Sequence, residues 1–275
     1  MTHIFKHIIL FMPLLLLASC VSEVDWPRDK VTSGEGAFSL SLSAGGLNDE
    51  VETRADGDKW RKLTDVEASG YQMTLTHAGE TLWGPKAFGD ITDRDCTQPV
   101  GTGYVVSGNN CTAEEAESAN SGWGQPHYSG QSESFEVKDG QKTQVEVKCR
   151  MQNAGFCVVF DKTFTDRFPT TYAVTTNDSR GLRFDADNAA VFEDNTLQRG
   201  AIAYYNMEVD GKRTVSLIVT GANDWDRVRL EKDIVMEPGK IYRLLVRVGM
   251  DNGKIGLSIT YDSEFDVVEN EIVVD

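Results

Sequence analysis

Hydrophobic and polar residues alternate with period two through much of this chain, the pattern of half-buried strands. Ala37 to Ala44 places Phe38, Leu40, Leu42 and Ala44 on one face, with serines on the other, and Gly45-Gly46 ends the run. Tyr71, Met73 and Leu75 repeat the pattern before His77-Ala78-Gly79. Gly103 to Val106 reads as a short strand, and Phe135 with Val137 as another, stopped by Asp139-Gly140. The strongest strand signal follows. Val145, Val147, Cys149 and Met151 alternate with Gln144, Glu146, Lys148 and Arg150. Asn153-Ala154-Gly155 then predicts a turn and Phe156 to Phe160 a returning strand, hence a hairpin. A three-residue loop would set Cys149 opposite Cys157; a two-residue loop would set it opposite Val158. Further strands are predicted at 172–176, 182–184, 201–205 and around Val215, Leu217 and Val219. The last clear pair carries Tyr242, Leu244, Val246 and Val248, then Ile255, Leu257, Ile259 and Tyr261, with the turn at Gly253. The tail from Phe265 to Val274 reads equally as a final strand or a frayed end.

No long segment carries a helical period. Many short strands bounded by Gly, Asn and Asp predict an all-β chain, best divided into two tandem β-sandwich domains over 36–142 and 143–275. Within the first lies an irregular stretch from Leu82 to Gly130. Thr112 is followed three residues later by Glu115, so a capped helical turn is expected there. The stretch ends in an aromatic cluster, Trp123, His127 and Tyr128.

The amino terminus has a different logic. Lys6 precedes an apolar run from Ile8 to Ala18, about half of what a membrane-spanning helix needs, so residues 1–19 read as a signal segment. Leu17-Ala18-Ser19-Cys20 resembles the lipobox of bacterial lipoproteins, which implies cleavage before Cys20 and acylation of that cysteine. Several acyl chains on one residue anchor a protein firmly to a membrane. Residues 20–35 are polar and aperiodic and read as a tether.

The 275 residues carry 27 basic and 43 acidic side chains, a net charge of −16. Such a chain offers little positive charge to a nucleic acid backbone, and no nucleic acid partner is expected. Beyond Cys20, four cysteines remain in an exported chain: Cys96, Cys111, Cys149 and Cys157. Spacing favours bridges between Cys96 and Cys111 and between Cys149 and Cys157; buried thiols are the alternative. Closing the loop between Cys96 and Cys111 would stabilise the fold by about 3 kcal/mol in the simple entropic model.

Several stretches bring a known family into view: the Cys111–Glu117 run, Tyr128-Ser129-Gly130 leading to Phe135-Glu136-Val137, and Val147-Lys148-Cys149-Arg150-Met151-Gln152-Asn153-Ala154. Over roughly residues 36–262 the chain resembles the Bacteroidetes surface lipoproteins that carry the domain of unknown function 4493. That family is similar in plan to the anchor and tip proteins of fimbriae, so the resemblance implies two transthyretin-like, Greek-key sandwiches and a cell-surface or adhesive role. It brings no ligand-binding residues.

Catalytic constellations are thin. The chain has no Gly-x-Ser-x-Gly, no His-Glu-x-x-His, no phosphate loop and no dinucleotide fingerprint. Only His77 and His127 survive the expected processing, and zinc is not expected. Paired carboxylates leave a glycan-active enzyme as the outside reading. Asp90, Asp93 and Asp95, and separately Asp185, Asp187 and Asn188, are weak calcium candidates or simply solvated turns. Trp123, His127 and Tyr128 form either a ligand-contact platform or a cover over the core; Trp60, Trp83 and Trp225 read as packing. No cofactor is expected. The sequence therefore predicts a lipid-anchored, outer-membrane, non-enzymatic surface protein that adheres to or captures a glycan or protein. An accessory, tip or anchor subunit of a fimbria-like assembly is the alternative, for which Arg28 and Arg54 are formal processing sites.

Overall fold

The computed structural model describes residues 34–45, 60–193, 196–198, 200–248, 255–262 and 269–273, with side chains for 34–45, 60–189 and 200–248. The expected signal segment, Cys20, Arg28 and Arg54 lie outside the described residues.

Among the described residues the architecture is mostly β, in three sheets. The first has nine strands: β1 (Glu35–Gly45), β2 (Trp60–Lys62), β3 (Gln72–His77), β4 (Glu80–Ala87), β5 (Thr97–Pro99), β6 (Gly101–Asn109), β7 (Tyr128–Gln131), β8 (Phe135–Val137) and β9 (Lys142–Met151). Their order is β2-β1-β9-β7-β6-β3-β4, with β5 on β1 and β8 on β6. Two capped single turns interrupt it, α1 (Asp65–Ala68) and α2 (Ala113–Ser118). In α2 the hydroxyl of Thr112 accepts from the Glu115 amide and the Glu115 carboxylate accepts from the Thr112 amide, the capping box the spacing predicts.

The second unit stacks two sheets. One holds β10 (Ala154–Asp161), β13 (Ala190–Glu193), β14 (Thr196–Gln198), β15 (Ala203–Tyr205), β18 (Ile241–Val248), β19 (Ile255–Asp262) and β20 (Glu269–Val273). The other holds β11 (Thr170–Thr175), β12 (Arg183–Asp185), β16 (Arg213–Ala222) and β17 (Arg227–Met236), and α3 (Lys162–Arg167) links the two. Phe156, Val158 and Phe160 from one sheet meet Ala173, Val215, Leu217, Val219 and Leu230 from the other in a single buried core. β10 is buried on both faces, which is why its sequence is a continuous apolar run and does not alternate. The β20 pairing resolves the tail as a strand.

Two expectations are corrected here. β9 and β10 do not form a hairpin. β9 pairs in parallel with β1 over nine residues and antiparallel with β7, whereas β10 pairs with β13, β15 and β18. The strand expected to open the second unit therefore belongs to the first sheet, and the change of sheet comes at Gln152-Asn153. The alternation in 144–151 fixes which face is buried but not the partner, and here the partner lies a hundred residues upstream.

The close pairing of β7 and β9 also explains one landmark residue. Gly130 stands opposite Cys149, and a Cβ added there would overlap the Lys148 carbonyl oxygen. A methyl group can be seated only by moving backbone. Gly130→Ala is expected to destabilise the fold by about 1–3 kcal/mol, read as a lowered denaturant midpoint; an unchanged midpoint would refute the packing argument.

Candidate functional site

The irregular stretch 110–128 is held by its own polar groups. Asn110 donates from its amide to the Pro126 carbonyl (2.9 Å) and accepts from the Tyr128 backbone (2.7 Å). Asn120 closes the next turn onto Gly124 at 2.8 Å. This places the three aromatic candidates on different surfaces. Trp123 turns toward the second core and meets Phe184 edge-on at 5.0 Å, while its carbonyl accepts from Tyr204 N–H at 2.7 Å. Tyr128 is buried in the first core. It lines a cleft of about 420 Å³ with Arg61, Glu67, Tyr71 and Pro126. His127 is half-buried, its backbone N–H donating to Asn153 at 3.0 Å, and burial pushes its imidazole pKa below the ordinary value. The trio therefore does not form one platform: Trp123 and His127 lie at the meeting place of the two units, and Tyr128 belongs to the first core.

That meeting place is the best-built polar site among the described residues; the sequence marks one of its centres, Asn153, only as a turn residue and the other, Arg180, not at all. Asn153 is 1% exposed. Besides holding His127, it donates to the Gln125 carbonyl at 2.8 Å and accepts Gly239 N–H on its own carbonyl at 2.9 Å. Arg180 is the second centre. Its guanidinium donates to the carbonyls of Gly122 (3.0 Å) and Tyr204 (2.9 Å) and stacks 3.8 Å over the Tyr205 ring. Glu117 of the first unit and Asp178 of the second stand 3.8 and 3.7 Å from it. Asn206 adds bonds to the Ala113 carbonyl (2.7 Å) and to Glu117 (3.0 Å). Burial by itself would raise the pKa of Asp178. The Tyr205 hydroxyl, the Gly181 and Arg180 amides and the Arg180 charge outweigh it and hold the carboxyl below the ordinary range. A cavity of about 650 Å³ opens beside these groups, lined by Glu114, Glu117, Asn177, Asp178, Arg180 and Arg213. No short motif marks Asn153 or Arg180, because each works through backbone carbonyls supplied by distant segments.

The expected disulfides are not formed. Cys96, Cys111, Cys149 and Cys157 are four buried thiols. Cys111 turns to Asn110 (3.5 Å) and Cys149 to the Gly108 carbonyl (3.6 Å). Cys149 and Cys157 sit on strands of different sheets, so no hairpin register joins them. Burial raises the Cys149 pKa to about 12 and, with nearby Asp95 and Asp93, that of Cys96 to about 11, which keeps both protonated and unreactive.

The acidic candidates are engaged in turns. Asp95 accepts from Lys86 (2.6 Å) and from the amide and hydroxyl of Thr92 (both 2.7 Å). Those bonds outweigh the opposing effect of desolvation and lower its pKa to about 2. Asp185 caps the Asp187 amide and pairs with Arg183 at 3.0 Å, while the Asn188 side chain bonds the Asp185 amide and the Arg183 carbonyl. Among the described residues, no three His, Cys, Asp or Glu side chains gather in a metal-holding group. Trp225, expected to pack, is instead 94% exposed. Trp60 lies against Lys148 and Arg150, and Trp83 donates to the Asp95 carbonyl, so those two do pack.

A family described as a domain of unknown function, DUF4493, matches residues 34–275, which takes in both units and the joint. The chain belongs to the DUF4493 family. No curated protein matches the sequence. The DUF4493 chain is similar to a fimbrial assembly protein from Parabacteroides distasonis, with 12% identity, a TM-score of 0.44, and 87% of this chain and 99% of that one covered. It is also similar to the fimbrial anchor protein Mfa2 from Porphyromonas gingivalis, with 10% identity, a TM-score of 0.38, and coverage of 85% and 99%.

Two measurements follow from the DUF4493 site. The folded pKa of His127 lies below its ordinary 6.5, so the unfolded chain takes up a proton first as pH falls. Its contribution is full above about 6.5 and is lost below it; the contribution of Asp178 is full above its ordinary 3.8 and is lost below that. Unfolding free energy should therefore decline from pH 7 to pH 5, and His127→Gln should flatten that slope while leaving the loss near pH 4 and below. An equal slope in the variant would refute the assignment. Separately, Cys20→Ala protein should show four thiols by intact mass without reductant. Cys96 and Cys149 should resist thiol reagents until the chain is denatured; a mass two hydrogens lighter would restore a bridge.

Proposed function

We propose that this chain is a lipid-anchored, outward-facing, non-catalytic protein of the outer membrane that serves as an anchor or accessory subunit of a fimbria-like assembly. Cys20 is the acylated residue, residues 1–19 are removed, and the two folded units are tandem transthyretin-like sandwiches. Its partners are membrane lipid through Cys20 and neighbouring protein subunits.

The observation that carries this reading is the path of the chain through the joint. The β1–β9 ladder begins with Ala37 opposite Lys142, at the end of β9 remote from the joint, and runs parallel over nine register pairs. After two residues the chain enters the second unit as β10. A load that enters at the start of β1 and leaves at the end of β9 pulls the two strands along their lengths in opposite directions. The ladder then bears it in shear, many bonds together, and is not unzipped one bond at a time. Asn153 and Arg180 stiffen the next step. This is the construction of a strut held at one end, and it suits attachment better than turnover of a substrate.

Two experiments test the reading. Cys20→Ala should move the protein from the membrane fraction to the soluble one, and retention in the membrane would sink the anchor. Protease added to intact cells should remove the folded units from their tether; complete protection would sink the outward-facing assignment.

A further inference from the structure

The turn between β16 and β17 carries Trp225 almost wholly in solvent, and the turn is built to keep it there. The Asn223 side-chain oxygen accepts from the amides of Trp225 (2.9 Å) and Asp226 (2.7 Å). The Asn223 backbone N–H donates to the Asp226 carbonyl at 2.9 Å, and its side-chain amide donates to the Arg167 carbonyl at the end of α3, also at 2.9 Å. Arg167 adds an ion contact to Asp226 at 3.7 Å. Hairpin turns are ordinarily made of Gly, Asn, Asp and Ser, and nothing in the packing of this one calls for an indole. A large apolar side chain standing in water on a fixed backbone is available for contact without the cost of ordering a loop.

Its place in the fold adds direction. β16 starts at the joint, where Arg213 lines the cavity and Asn177 bonds the Thr214 carbonyl at 2.8 Å. Ten residues of strand carry the chain about 30 Å from there to the turn. The tether enters the first unit at the opposite side of the joint, at the start of β1. Trp225 therefore marks the pole of the second unit that faces away from the expected anchor.

We propose that Trp225 is the central contact of a protein–protein interface at this outer pole, a knob that enters an apolar pocket on a partner of different sequence. The inference rests on the outward-facing reading above. Three features select the partner. Trp225 is convex and lines neither cleft described above, whereas sites for small ligands and sugars are concave. A Trp buries ~150–250 Å² when it is enclosed, and Trp leads the residues that dominate protein interfaces. The exposed charges around it are mixed, Asp224 and Asp226 beside Arg167 and Arg227, which is a polar rim about an apolar centre. A second copy of the chain would meet it with a net charge of −16 of its own, and the repulsion disfavours self-association.

The test uses the full-length chain on intact cells, with photo-reactive benzoylphenylalanine at position 225. The same group at Val209, an equally exposed turn at the joint end of β16, serves as the control. Illumination should give one discrete protein adduct from position 225 and none from position 209, with the adduct mapping to an apolar pocket on the partner. With that partner purified, Trp225→Ala should weaken binding at least thirtyfold and Trp225→Phe only a few-fold. Asn223→Ala, which frees the turn, should fall between them, and thermal midpoints should be unchanged for both Trp225 variants. An adduct of twice the chain's mass, an adduct with glycan or lipid alone, identical products from both positions, or no adduct from a chain that surface protease still cleaves would each overturn the proposal. A chain shielded from protease would instead overturn the surface reading on which it stands.

Discussion

The structure turns on two residues, Gln152 and Asn153, where the chain leaves one sheet and enters another. A two-residue link between strands normally makes a hairpin, and here it does not. Asn153 is the reason the passage is stable. It is buried, so each of its polar groups needs a partner, and it finds them on Gln125, His127 and Gly239, segments from both units. An apolar side chain at this position would keep the backbone bond from Gly239 but strip the His127 amide and the Gln125 carbonyl of their partner, which costs more than the bonds themselves contribute. The joint is thus specified by directional bonds and is not a sliding apolar contact.

Arg180 extends the same logic. A guanidinium suits this place because it is planar and rich in donors: it stacks on Tyr205 and still reaches two carbonyls at once. With Asp178 and Glu117 beside it, its charge is compensated from both units. Buried ion pairs contribute little net stability, but breaking one is costly, so their value lies in selecting one arrangement over others. Contacts of this kind fix one arrangement of the two units, where a larger apolar contact would tolerate several.

Much of this was legible in the sequence, and the boundary of legibility is physical. Period-two alternation located β1, β3, β9, β16 and β18, because one face of each is buried and one is not. The Thr112–Glu115 spacing gave the cap of α2 because both bonds are local. What failed was non-local. β9 pairs with β1 across a hundred residues, so its strand character was visible and its partner was not. β17 went unnoticed because Arg227, Arg229, Glu231 and Asp233 fill its outer face and hide the inward Leu230, Ile234 and Met236. The cysteines misled because even number and spacing measure opportunity, whereas the strands carry Cys149 and Cys157 into different sheets. The aromatic loop was read as one cluster; Asn110 and Asn120 turn the chain within it and send Trp123 and Tyr128 into separate cores.

Trp225 shows the same limit from the other side. Composition treats every tryptophan as material for a core, and for Trp60 and Trp83 that expectation holds in kind. The difference at Trp225 lies in its support. Asn223 closes the turn with its side-chain oxygen and ties it to the end of α3 with its side-chain amide, and on this backbone the indole stands 94% exposed. An exposed aromatic on a loose loop would collapse against the nearest apolar surface and hide. One held on a rigid turn remains available, and the backbone share of the ordering cost of an encounter is already spent in folding. At this turn the support comes from Asn223 and Arg167, which bind it to the end of α3 and so present the Trp225 side chain to solvent.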